Sequence, residues 1–245
     1  MNLQRNSEEE LMNSSNGIVC RQCNDTGFIA VKGKDNTFTP CECAKHDQMV
    51  VRLRKAGLTL SAMNKTFKNY EPLNSETKKM KEVAGGYALI FKDFKIAPRE
   101  HNSLALLGQP GSGKTHLLIA VMNVLMKNDT DIQYISYPEE MAILKQNVLN
   151  EQVINSKMKK FKTCDLLVMD DLFKNGYTAS DLRLIFEIVN SRYINQKSIA
   201  ISSELTILDI KNIDGALAGR IKAMTDRYRY EIIGSQYDYR MRKVK

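Results

Sequence analysis

Apolar residues follow two different periods along this chain. At residues 77–94 they recur with helical spacing, broken only by Gly85-Gly86, which predicts a helix interrupted at that pair. Short apolar runs at 103–107, 132–137, 164–169, 198–201 and 230–233 predict strands. Those at 164–169 and 198–201 are continuous enough to be buried on both faces. Helices are predicted between them at 114–126, from Pro138 to about 147, at 157–161 as a short basic helix, at 179–194 and at 216–224. Leu182, Ile185, Phe186 and Val189 carry the periodicity of 179–194. Strands alternating with helices from about residue 75 imply a parallel sheet covered on both sides, an α/β fold.

The first 60 residues are patterned differently. Residues 1–16 are a polar lead-in, 17–46 show little periodicity, and a basic helical stretch covers 48–57. A connector with Pro72 and several Asn and Ser covers 58–75. The division expected is a small N-terminal domain at 1–60 and an α/β domain at 61–245.

Composition narrows the picture in three ways. The 245 residues are 43% hydrophobic, enough to bury a core. No run of about 18 apolar residues exists, so no membrane helix is expected. The start of the chain lacks an apolar signal core, so a cytoplasmic protein is expected. The net charge is +8, and the end is its most basic part. Residues 220–245 hold eight Lys and Arg against three Asp and Glu, which suits a polyanionic partner or a solvated face.

Four of the five cysteines form the pattern Cys20-x2-Cys23-x17-Cys41-x-Cys43. Four soft thiolates at this spacing suit a tetrahedral zinc ion; an iron–sulfur cluster and free thiols are the other readings. The turn 24–27 offers amides to the first sulfurs. Cys-x-Cys is a tighter second pair than usual, which makes His46 a substitute ligand. A segment this short rarely folds without a staple. Cys164 opens a predicted buried strand and reads as core.

The strongest chemical signal is Gly108-x4-Gly113-Lys114-Thr115, between a predicted strand and a predicted helix. It matches the phosphate-binding loop. Gly108, Gln109, Pro110, Gly111, Ser112 and Gly113 let the backbone wrap a phosphate with its N–H groups, and the following helix adds its positive end. The Lys114 ammonium should reach the β- and γ-phosphates of ATP, and the Thr115 hydroxyl should sit on Mg²⁺. Further on, an apolar strand ends in Asp170-Asp171. Asp170 would hold Mg²⁺, and Asp171 would orient or deprotonate the attacking water.

Together these stretches resemble one family. Met63-Asn-Lys-Thr-Phe67-Lys-Asn-Tyr70, Ala84-Gly-Gly-Tyr87, Lys114-Thr-His116-Leu117 and Asp165-Leu-Leu-Val-Met-Asp-Asp-Leu172 are similar to the replicative helicase loaders of the DnaC/DnaI type, which are AAA+ ATPases related to the IstB-like transposition helpers. Gly234-Ser-Gln-Tyr-Asp-Tyr-Arg240 resembles the family's closing motif with two extra residues. The resemblance covers roughly 60–242. It implies a P-loop AAA+ domain with a parallel sheet flanked by helices and a reduced or absent lid, behind a small zinc-binding domain that contacts the hexameric helicase.

Further assignments rest on that resemblance. His116 joins the nucleotide site, and Phe67–Tyr70 corresponds to the part near adenine. Glu204 stands where the family has a polar sensor residue; a carboxylate would repel the γ-phosphate, so Ser203 is expected to act instead. Arg220 aligns with the finger that completes a neighbouring subunit's site, which implies self-association, and Arg240 is a second sensor candidate. Lys145, Lys157, Lys159, Lys160 and Lys162 lie where loaders touch single-stranded DNA; a solvated basic face explains them equally.

The function expected is an ATPase, slow in turnover, that places the replicative helicase on single-stranded DNA. Its alternatives are an IstB-like helper assembling on duplex DNA and an ATP-binding adaptor that barely hydrolyses. A phage source fits the compact chain.

Overall fold

The computed structural model describes residues 20–24, 26–31, 37–44, 51, 56–96, 100–128, 130–234 and 239. The chain divides into two compact units, Met1–Val51 and Arg52–Lys245. The predicted lead-in at 1–16, His46 and Arg240 lie outside the described residues, as does most of the predicted helix at 48–57.

The first unit contains a short antiparallel hairpin, β1 (Phe28–Ala30) paired with β2 (Phe38–Pro40). Its aromatic residues face water: Phe28 is 56% exposed and Phe38 62%. The buried residues described here are Cys23 and Cys41.

The second unit is built on one five-stranded parallel sheet. Its strands are β3 (Leu104–Gly108), β4 (Ile132–Ser136), β5 (Leu166–Asp170), β6 (Ser198–Ser203) and β7 (Tyr228–Ile232), in the order β4-β5-β6-β3-β7. β3, β5 and β6 are buried throughout, as their unbroken apolar runs demand. Helices α1 (Ser75–Ile96) and α2 (Lys114–Met126) pack together, α1 against β7 and α2 against β5 and β6. Helices α3 (Tyr137–Gln146), α4 (Glu151–Thr163), α5 (Ala179–Ile194), α6 (Ile207–Ile213) and α7 (Gly215–Thr225) complete the unit. Alternation sorts the sheet's side chains: Leu167, Met169, Ile199 and Ile201 enter one core with Ile185, Ile188 and Ile221 from the helices.

The predicted bounds of α2 and α5 hold to the residue, and the strand ends differ by at most two positions. Three differences are larger. α1 runs unbroken through Gly85-Gly86. Each glycine costs about 1 kcal/mol there, but Met80, Ala84, Tyr87 and Phe91 bury one face around them. α4 is thirteen residues long rather than a short basic turn. The Asn150 side chain accepts from Val153 N at 3.2 Å, and Met158 and Phe161 supply an apolar stripe that the lysines masked. α6 was not expected at all; Thr206 and Asp209 form its capping box.

Arg192 is fully buried, with no carboxylate partner among the described residues. Its guanidinium donates to the carbonyls of Phe161 (2.6 Å), Cys164 (3.0 Å), Asp165 (3.3 Å) and Ser198 (2.6 Å). It thereby ties the end of α4 to the starts of β5 and β6. No helical lid follows β7 among the described residues.

Candidate functional site

The strand order puts the C-terminal ends of β3, β5 and β6 side by side, and these ends carry the chemistry. β3 turns into α2 through Gly108–Gly113, where Gly108, Gly111 and Gly113 adopt φ of 94°, 72° and 90°. Two of these glycines are also sterically required. A Cβ on Gly108 would lie 2.1 Å from the Ile232 carbonyl oxygen, and one on Gly113 would lie 2.5 Å from Tyr70 Cε2. The cap residue of α2 is Gly113, which has no side-chain cap, so first-turn N–H groups are left for an anion.

Lys114 is 5% exposed. Its ammonium donates to the carbonyls of Gly108 and Gln109, both at 2.7 Å. Burial lowers its pKa to about 8, against the pull of Glu204, Asp171 and Asp170. Ser112 is buried and donates to the Gln109 carbonyl at 2.9 Å.

Asp170, 3% exposed at the end of β5, collects three hydroxyl donors. Thr115 Oγ1 donates at 3.0 Å and Tyr134 OH at 2.8 Å, and Ser202 Oγ completes the set. Burial, then Asp170, pushes the Tyr134 phenol above its ordinary range, which keeps it a donor. A hydroxyl and a carboxylate oxygen at 3.0 Å are hard oxygen donors of the kind Mg²⁺ takes. Asp171 follows with φ of 55°, and its N–H donates to Ser202 Oγ at 2.9 Å. Its carboxylate meets the Lys174 ammonium at 2.8 Å, and Lys174 lies 3.6 Å from Glu204.

Gly111, Gly113, Lys114, Thr115, Asp171, Lys174 and Glu204 line a cleft of about 500 Å³, a size suited to a small ligand. Asn69, Tyr70, Glu71, His116 and Tyr239 line the same cleft. Tyr70 donates to the Ser112 carbonyl at 2.9 Å and packs edge-on to His116 and Tyr239, with ring centres 5.4 and 5.8 Å away. Tyr239 N–H donates to the Gly111 carbonyl at 2.9 Å. A phosphate loop with its ammonium and a set of aromatic edges in one cleft suit a nucleotide in polarity.

Several sequence expectations sit elsewhere. Ser203 does not reach the cleft: it is fully buried, donating to the Leu172 carbonyl at 2.6 Å and accepting from Leu205 N. Glu204 lines the cleft instead. Arg220 is away from it, donating to Asn190 Oδ1 at 2.7 Å and to the Ala216 carbonyl, with its guanidinium 4.8 Å from the Phe186 ring centre. Of the five lysines aligned with DNA contact, Lys145 pairs with Asp181, Lys157 with Glu140 and Lys162 with Glu187. Sequence reasoning missed Tyr134, Ser202, Lys174 and Tyr239. Ser202 left a signal as a polar residue ending an apolar strand, and Tyr239 lies within the closing motif 234–240.

In the first unit the four sulfurs of Cys20, Cys23, Cys41 and Cys43 lie within 4.8 Å of one another. Cys20 to Cys41 is 3.7 Å and Cys23 to Cys43 is 3.3 Å. A disulfide needs about 2.05 Å, so these are four free thiols. A four-sulfur tetrahedron with metal–sulfur bonds of about 2.3 Å has sulfur–sulfur separations of about 3.8 Å. The cluster could therefore hold a metal ion, and its donor set fits zinc. The backbone amides of Cys23 and Gln22 draw the Cys20 pKa down to about 7, favouring the thiolate that binds metal. The Cys41 N–H donates to the Gly27 carbonyl at 2.8 Å, closing the two Cys segments on each other.

A parallel sheet in this order, with a P-loop on β3 and paired carboxylates ending β5, defines a P-loop nucleotide-binding protein of the AAA+ class. Residues 42–232 match the family described as IstB-like ATP binding protein. The chain belongs to this family. It is 37% identical over 227 residues to the uncharacterized protein YqaM of Bacillus subtilis, covering 90% of this chain and 71% of that one. It is 34% identical to the phage-like element PBSX protein XkdC of Bacillus subtilis, covering 89% and 84%. It is also 26% identical to the replicative helicase loader DnaC of Buchnera aphidicola, covering 76% and 77%. The solved structure of DnaI has the same fold, with a TM-score of 0.55 and 19% identity over 74% of this chain and 94% of that one. No described helix is long and apolar enough to cross a membrane.

Proposed function

We propose that this chain is an ATP-driven helicase loader. In this reading, residues 61–245 bind and slowly hydrolyse ATP. Residues 1–60, folded around zinc on Cys20, Cys23, Cys41 and Cys43, dock the hexameric replicative helicase for delivery onto single-stranded DNA in the cytoplasm. The observation that carries it is the pairing of the nucleotide cleft with the converging four-cysteine unit, in a chain similar to a DnaC over 77% of that protein's length.

In this reading the residues take the following roles. Gly108, Gln109, Pro110, Gly111, Ser112 and Gly113 form the phosphate loop, and His116 lines the cleft beside Tyr70. Lys114 exchanges its two carbonyl partners for phosphate oxygens. Mg²⁺ neutralises phosphate charge when bound, and Thr115 and Asp170 hold it. Asp171 orients the attacking water and accepts its proton. Arg220 serves a neighbouring copy's cleft, since it does not reach its own. Lys159 and Lys160 are the better candidates for weak phosphate contacts with DNA, because the other three lysines have acidic partners.

The test is co-purification with the host's replicative helicase, with and without ATP, followed by mass determination. An ATP-responsive complex that is lost on deleting residues 1–60 is the expected result. No complex, together with ATP-dependent filaments on duplex DNA, would support the second reading, a transposition helper, which the IstB-like family match favours. ATP binding without turnover that Asp171→Asn abolishes would leave a nucleotide-switched adaptor.

A further inference from the structure

The cleft also carries an ion triad that the phosphate-loop motif does not explain. Asp171, Lys174 and Glu204 all line the cleft, with the Lys174 ammonium 2.8 Å from Asp171 and 3.6 Å from Glu204. The backbone that brings Lys174 there is unusual. Asp171, Phe173 and Asn175 have φ of 55°, 62° and 64°, and Gly176 has 92°. Left-handed backbone at three side-chain-bearing residues within five positions costs free energy and persists only where the surroundings impose it.

Here they do impose it. Leu172 and Phe173 are buried, Phe173 packs edge-on to Tyr137 and Tyr177, and Lys174 N–H donates to the Asp171 carbonyl at 3.0 Å. The result is a turn that folds Lys174 back over the carboxylate preceding it. Lys174 is a third exposed, so the ammonium is open to a ligand in the cleft. Asp171, first, and Glu204 hold its pKa above the ordinary lysine range, so it carries charge at neutral pH.

Resting on the nucleotide reading above, we infer that Lys174 is the cleft's terminal-phosphate sensor, held ready by Glu204. This accounts for a glutamate at the end of β6: its carboxylate repels phosphate but anchors the ammonium that attracts it. It also gives Lys174 two alternative partners. In the free protein it covers Asp171. A γ-phosphate oxygen competes for the same ammonium, and its arrival uncovers Asp171 to engage water. ADP, lacking that phosphate, leaves the Lys174–Asp171 pair intact. Lys174 is thus a positioning residue for Asp171 as well as a contact for substrate.

The test is binding of fluorescent ATP and ADP analogues with Mg²⁺ to the full chain carrying Lys174→Met, Lys174→Arg or no change. Loss of one charge-assisted hydrogen bond predicts that Lys174→Met weakens ATP binding at least roughly tenfold while ADP affinity moves less than about threefold. Lys174→Arg should restore most of the preference for ATP. Equal loss for ATP and ADP, or unchanged discrimination in a folded Lys174→Met, would overturn the inference and leave the triad as a loop brace. Failure of the unchanged chain to bind either nucleotide would instead defeat the nucleotide reading itself.

Discussion

The two units of this chain are held together by opposite means. Residues 104–232 form a sheet whose central strands are buried on both faces, stitched by Arg192 and by helix caps at Asn150, Thr178, Thr206 and Asp214. The hairpin unit exposes its aromatic residues and buries two cysteines. A parallel sheet buries enough apolar surface to order its own backbone, whereas a segment of about 30 residues cannot and needs a covalent or metal staple. The cleft can therefore be built from strand ends and loops, while the described buried residues of the other unit are two of its four clustered cysteines.

The widest separation of the two units should come from removing any metal that the four thiols hold. A strong chelator, or Cys41→Ser, is expected to abolish the amide signals of the β1–β2 hairpin while amides of β3, β5 and β6 stay protected from exchange. A hairpin that survives chelation, followed by two-dimensional NMR of the full chain, would mean that the thiols do not staple it.

Within the larger unit, two glycines of one loop should differ. Gly108→Ala forces a Cβ onto the Ile232 backbone at the β3–β7 pairing, and backbone cannot step aside. It should cost at least about 3 kcal/mol, read as a fall in the denaturation midpoint. Gly113→Ala meets a ring edge of Tyr70 that can shift, so about 1–2 kcal/mol is expected, with a larger loss in nucleotide affinity than in stability. Equal costs would indicate that φ strain alone decides both.

The smallest effect is a pH dependence. Lys114 titrates near 8 in the free protein because burial disfavours its charge, and phosphate binds the ammonium. ATP affinity at constant ionic strength should therefore fall as pH rises through about 8, and the weaker binding of Lys114→Met should not follow that slope. The sign for stability is the reverse. The folded pKa lies below the unfolded one, so the cost of burying the charged amine is full below about 8 and is relieved as pH rises toward about 10.5.

Much of the site could be read from local chemistry. The glycine spacing, Lys114, Thr115 and the Asp170-Asp171 pair lie within single strand–turn segments, and α2 and α5 keep their expected bounds. What local reading lost depends on facing. Ser203 and Glu204 are neighbours, yet one is sealed against Leu172 and the other lines the cleft. Five lysines looked alike until acidic residues from α3 and α5 met three of them. The glycine pair in α1 read as a break because its compensation, burial against α2 and β7, is not local.

The sequence by itself determined the α/β alternation, the phosphate loop and the cysteine set, because each is a property of residues adjacent or periodic along the chain. Only the tertiary structure decided that Tyr134, Thr115 and Ser202 converge on Asp170, and that Lys174 bridges Asp171 and Glu204. Those groupings come from strand order and a left-handed turn, which bring together donors up to 87 positions apart in the chain. Hydrogen bonds and ion pairs act over a few ångströms of space, and spacing along the chain does not encode that distance until the sheet has set it.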